Sequence, residues 1–139
     1  MTNIIYFEGL MSSFIRTLLI PQLKGDFTSL GYTHWQAGPA MVPSTGKLIV
    51  IGHSLGGPTA INWAAKCGRE VDLLVTLDPR VFYQPYVKPG NVQTAINFRR
   101  NSWWMHGYPV SDATNIVMNC GHGSLPGQKL VVDAVNNAI

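Results

Sequence analysis

Residues 48–57 read Leu48-Ile49-Val50-Ile51-Gly52-His53-Ser54-Leu55-Gly56-Gly57. Four consecutive aliphatic residues suit a strand buried on both faces, as in the centre of a parallel sheet. The next five, Gly52 to Gly56, form a G-x-S-x-G pattern. Between a strand and a helix, that pattern makes a sharp turn in which the serine takes a strained backbone conformation. The glycines remove side chains that would otherwise collide across it. Such a turn presents Ser54 Oγ at the C-terminal edge of the sheet and aims the Leu55 N–H into the same space, over a helix N-terminus. The plain alternative is a glycine-rich turn with a solvated serine. The helix expected next runs from Leu55 to Cys67. Ala60, Ile61, Ala64 and Ala65 form its packing face, Pro58 lies in the first turn, and Gly68 is the stop.

Outward from this stretch, strand-like and helix-like runs alternate. NIIYFE (3–8), YTHWQ (32–36), KLIVIG (47–52), VDLLVTLD (71–78), NVQTAINF (91–98) and TNIVMN (114–119) read as strands. Ser12 can cap a helix carrying Phe14, Leu18, Leu19 and Leu23, which Pro21 and Gly25 should kink or end. Leu130, Val131, Ala134, Val135 and Ala138 line a last helix. The alternation predicts an α/β fold with three α/β/α layers around a mostly parallel sheet of about six strands. Residues 37–45 make a connection shorter than the dozen or so residues of an ordinary parallel crossover. No linker divides the chain, so 1–139 is expected to be a single domain.

The composition narrows the function. Of 139 residues, 46% are hydrophobic and 12% charged, and the net charge of +3 is scattered. Arg99-Arg100 is a pair rather than a patch, so nucleic-acid binding is not expected. No run is long enough to span a membrane. The start, MTNIIYFEGL, has no basic stretch ahead of an apolar one, so a cytoplasmic location is expected. Cys67 and Cys120 lack metal-ligand spacing and read as small buried hydrophobes. No metal and no cofactor is expected.

A serine hydroxyl needs a base, and the base needs an orienting group. Four histidines are available. His34 falls near an edge strand, His53 is the variable residue of the turn and is expected to point away from Oγ, and His106 lies in an irregular segment. His122 follows the last strand between two glycines, at the C-terminal edge of the sheet. Asp78 ends an apolar strand that has no packing reason for a carboxylate, although the following Pro79 also suits a turn. Asp112 precedes a strand and belongs at the opposite edge. The order Ser54, Asp78, His122 suits this type of sheet.

With these residues in place, the chain resembles the small lipase- or esterase-like α/β-hydrolases. It shares their G-H-S-x-G-G turn (Gly52–Gly57), a V-T-L-D-P strand end (Val75–Pro79), and a histidine shortly before S-L-P (His122 with Ser124–Pro126). The resemblance spans nearly the whole chain. It implies Ser54 as nucleophile, His122 as base and Asp78 as acid. It also implies a truncated α/β-hydrolase fold, because the chain starts at what resembles the family's third strand. The helix ahead of the turn strand also looks deleted. The family's oxyanion segment corresponds to Phe7-Glu8-Gly9-Leu10, making Leu10 N–H the second oxyanion donor beside Leu55 N–H.

The function implied is a serine hydrolase acting on a small acyl-ester or thioester substrate through an acyl-enzyme. An acyltransferase would use the same residues, and a catalytically inactive binding or structural protein would keep the fold without turnover. Phe82, Tyr83, Tyr86, Trp103, Trp104 and Tyr108 would form either an acyl-binding wall or an aromatic staple for the loops. The edges of a shortened sheet would accommodate a homodimer.

Overall fold

The computed structural model describes residues 1–36, 41–80, 85–102 and 106–139. In chain order the elements are β1 (Thr2–Glu8), β2 (Phe27–Thr33), β3 (Lys47–His53), α1 (Gly56–Lys66), β4 (Val71–Leu77), β5 (Tyr86–Val87), β6 (Val92–Arg100), β7 (Val110–Ser111), β8 (Thr114–Met118) and α2 (Lys129–Ala138). A π-helical turn (Ile15–Leu19) and a 3₁₀ turn (Ile20–Gln22) lie between β1 and β2, and a second 3₁₀ turn (Leu125–Gly127) precedes α2. Six strands form one sheet in the order β2-β1-β3-β4-β6-β8, with every neighbouring pair parallel. Strands β5 and β7 form a separate two-stranded parallel pair.

Period-two alternation sends the sheet's side chains to two cores. Ile4, Ile49, Ile51, Val75, Leu77 and Phe98 pack with Ile15 and Leu19 of the π turn and Val131 and Val135 of α2. Ile5, Phe7, Leu48, Val50 and Leu74 pack with Ala60, Trp63 and Ala64 of α1. Helical segments thus cover both faces, which is why β3 and β4 can be apolar almost throughout. Among the described residues, no helix is long and apolar enough to cross a membrane.

Three local expectations change. The second strand is FTSLGYT (27–33), not 32–36. It borders only β1, and its partly exposed residues carry little apolar signal. The connection to β3 therefore spans 34–46, an ordinary crossover length. The helix expected from Ser12 is replaced by the π turn and the 3₁₀ turn, with Pro21 inside the latter. Cys67 and Cys120 are free and half-buried rather than fully buried.

The topology positions the site. The chain leaves β1 towards β2 on one side and leaves β3 towards β4 on the other. The crevice beyond the carboxyl ends of β1 and β3 is thus a switch point, where open parallel sheets bind ligands. The turn at the end of β3 is packed backbone to backbone. A Cβ on Gly56 would lie 2.1 Å from the Phe7 carbonyl oxygen, and one on Gly52 would lie 2.3 Å from that of Gly56. Neither contact can be relieved by a side-chain rotation. Gly56→Ala should therefore cost about 3 kcal/mol by overpacking. Urea unfolding should show a lowered midpoint with an unchanged slope; a wild-type midpoint would show that the β1–α1 contact gives way easily.

Candidate active site

Three strand ends build the site. Ser54 follows β3 in the left-handed region at φ 56°, and its N–H donates to Leu77 O at 2.9 Å, tying the turn to the end of β4. Asp78 follows β4, also left-handed at φ 49°, with its N–H on Phe98 O at 2.7 Å. The Ser54 carbonyl accepts from Gly57 N at 3.0 Å and Arg80 N at 3.2 Å. The serine and the aspartate are thus held side by side through the backbones of adjacent strands.

Asp78 is fully buried. Its Oδ2 accepts from His122 Nδ1 at 2.8 Å, and its Oδ1 accepts from Arg100 N at 2.8 Å and Gly107 N at 3.0 Å. Arg100 Nε lies 3.6 Å from Oδ2. Burial alone would raise the carboxyl pKa. The bond from His122, with the two backbone N–H groups, outweighs burial and holds it below the usual carboxylate range. A carboxylate can only accept, so the His122 proton sits on Nδ1 and leaves the Nε2 lone pair free. Ser54 Oγ has no hydrogen-bond partner among the described residues, His122 included.

The loop after β1 adjoins the nucleophile. A Cβ on Gly9 would stand 2.9 Å from Ser54 Cβ. Glu8 fixes this loop: its buried carboxylate accepts Ile15 N and Arg16 N, each at 3.0 Å. Burial pushes the Glu8 carboxyl above its ordinary pKa against the pull of those two bonds. Leu55 N–H and Leu10 N–H, the two expected oxyanion donors, have no partner among the described residues.

The other candidates lie elsewhere. Asp112, at φ 63°, sits in the turn entering β8, at the opposite edge from the carboxyl ends. His34 packs edge-on against Trp35, and His106 Nδ1 bonds Gly107 O. Tyr86 is buried in the α1-side core and its ring centroid lies 6.2 Å from that of Tyr108. Phe82, Tyr83, Trp103 and Trp104 fall outside the described residues. Among the described residues, no three His, Cys, Asp or Glu side chains converge to hold a metal.

Sequence reasoning missed two contributors. Gly107 supplies an N–H to Asp78, and a Cβ there would stand 2.4 Å from Asp78 Cα. Nearby, Asn97 Nδ2 donates to Tyr108 O at 2.9 Å, fixing the chain just beyond Gly107. No local pattern marks either role. The second contributor is His53, of which the sequence predicts only that it points away from Ser54 Oγ. Alternation along β3 turns its ring to the α2 side, where its Nε2 donates to His122 O at 2.9 Å. The two imidazoles pack with centroids 4.7 Å apart, and Phe14 meets His53 edge-on at 5.7 Å. Burial first, then the neighbouring His122, push the His53 pKa down to about 4, against the His122 carbonyl and Asp78.

This shift has a consequence for stability. Unfolded, an imidazole takes its proton near pH 6.5, whereas folded His53 resists it down to about 4. Between those values the unfolded chain binds the extra proton. Stability from this residue is therefore complete above pH 6.5 and falls by about 3 kcal/mol as pH drops towards 4. His53→Gln should flatten the fall in urea-unfolding stability between pH 7 and 4 by about that amount; equal slopes in both proteins would remove His53 as its source. No family model, curated protein or solved structure matches the chain.

Proposed function

We propose that the protein is a serine hydrolase of carboxylic esters or thioesters, with its sheet a shortened α/β-hydrolase sheet. The observation that carries this reading is the 2.8 Å bond between His122 Nδ1 and a fully buried Asp78, at the same sheet edge as a left-handed serine. In this mechanism Ser54 Oγ attacks the acyl carbon while His122 Nε2 takes its proton. The bond to Asp78 stabilises the resulting imidazolium without moving a proton to the carboxylate. The Leu55 N–H receives the oxyanion, with Leu10 N–H as second donor. His122 then returns the proton to the leaving alcohol or thiol, and a water repeats the sequence to release the acid.

A second reading is a binding protein that retains the constellation without turnover. The Ser54 hydroxyl, unbonded among the described residues, favours it, although nucleophile–base bonds are often long before substrate arrives. Labelling with a fluorophosphonate separates the two. Wild type should label at Ser54, Ser54→Ala should not, and His122→Ala should label slower by several orders of magnitude. Ester turnover in Asp78→Asn should fall about 10⁴-fold, because an amide at this position favours the wrong imidazole tautomer. A folded wild-type protein that stays unlabelled would transfer the argument to the binding reading.

A further inference from the structure

Residues 121–123 read Gly-His-Gly, and a histidine between two glycines is not held in place by its own backbone. The position of His122 is therefore set from outside its loop. Asp78 holds the ring, through Nδ1 at 2.8 Å. His53 holds the main chain, through the Nε2–H it donates to His122 O at 2.9 Å. His53 is 1% exposed, and its ring packs on that of His122 with centroids 4.7 Å apart and planes inclined by 30°. Phe14 closes the back of this stack: it meets His53 edge-on, and a Cβ on Gly123 would lie 3.0 Å from its Cζ. Ser54 is the residue after His53. One side chain is thus joined to the nucleophile by a single peptide bond and to the base by a single hydrogen bond.

The protonation of His53 suits this position. A carbonyl only accepts, so the ring proton sits on Nε2. Nδ1 is closed off from solvent and has no partner among the described residues. A second proton placed there would find no acceptor, and it would stand beside the imidazolium that forms on His122 during acyl transfer. Burial and that neighbour hold the His53 pKa at about 4, against the pull of Asp78 and the His122 carbonyl, so the ring is neutral while the base works. It can support the base without repelling the charge the base acquires. We propose that His53 is a positioning residue: it acts through His122, setting where Nε2 stands relative to Ser54 Oγ by tying the main chain of the base to the strand end that carries the nucleophile. Its effect on turnover rests on the serine-hydrolase reading; its anchoring of His122 does not.

The test compares wild type with His53→Phe, which keeps an aromatic ring but no donor, and His53→Gln, whose amide can donate to the same carbonyl. In ester hydrolysis His53→Phe should lower kcat about 100-fold, the loss expected when a reacting group is misplaced by about 1 Å. KM should stay within about twofold, because His53 does not touch substrate, and His53→Gln should recover kcat to within about fivefold of wild type. Equal losses in the two variants, a loss carried by KM, or no loss in His53→Phe would overturn the proposal. Spectra of the same proteins labelled with ¹⁵N-histidine report on the anchoring without turnover. Wild type should show His53 as the Nε2–H tautomer and a slowly exchanging His122 Nδ1–H. That proton signal should persist in His53→Gln and be lost to exchange in His53→Phe. If wild type neither cleaves the ester nor labels with fluorophosphonate, the hydrolase reading fails and the spectra decide the anchoring alone. A signal that persists in all three proteins, or an Nδ1–H tautomer at His53, would end it. If His53→Phe does not fold, the Nε2–H tautomer in wild type and the retained His122 signal in His53→Gln must both be found, and the absence of either overturns the anchoring.

Discussion

The Asp78 carboxylate has no exposed surface, and a buried charge of that kind persists only where hydrogen bonds replace the water it has lost. Here they come from three separate stretches of chain: Arg100 at the end of β6, Gly107 in the following loop, and the His122 imidazole beyond β8. Each would otherwise be a loose end at the carboxyl edge of the sheet. One side chain therefore sets where β6 stops, how closely the Gly107 segment approaches, and which nitrogen of His122 faces outward. Removing the carboxylate would release all three together.

Backbone strain gathers at the same edge. Met11, Ser54 and Asp78 take left-handed conformations at φ 48°, 56° and 49°, and they follow the neighbouring strands β1, β3 and β4. Non-glycine residues held there cost about 1–3 kcal/mol each and persist only when their surroundings over-determine them. At Ser54 and Asp78 the over-determination is visible in the Ser54 N–Leu77 O, Asp78 N–Phe98 O and Arg80 N–Ser54 O bonds, which lace consecutive strand ends together.

Much of this organisation is legible in the sequence, for reasons that differ by element. β3, β4, α1 and α2 are apolar runs or stripes buried against the sheet, so hydrophobic periodicity locates them. β2 is an edge strand whose position depends on pairing with β1 residue by residue, and FTSLGYT carries no such periodicity. The segment after Ser12 has helical spacing, and the Glu8 carboxylate caps its first N–H groups, but Pro21 offers no N–H and the regular bonding ends there. Ser54, Asp78 and His122 could be nominated from strand-end chemistry and chain order. The contact between residues 78 and 122, and the His53 bond to the His122 carbonyl, arise only when the sheet assembles.

The two buried carboxylates at this edge are held in different ways. Glu8 and Asp78 each end or follow a strand next to the Ser54 turn, and each accepts backbone N–H groups from an incoming loop. Both oxygens of Glu8 are taken by Ile15 and Arg16 N–H, so the side chain can only hold the loop, and burial dominates its titration and raises it. Asp78 commits one oxygen to the backbone and the other to an imidazole, a partner that can itself gain a proton, and its titration moves the opposite way. A structural carboxylate has no need of a titratable partner, and a backbone N–H would have filled the second position as well as it does at Glu8. The imidazole there, held from behind by His53, is the feature on which the proposed hydrolase reading rests.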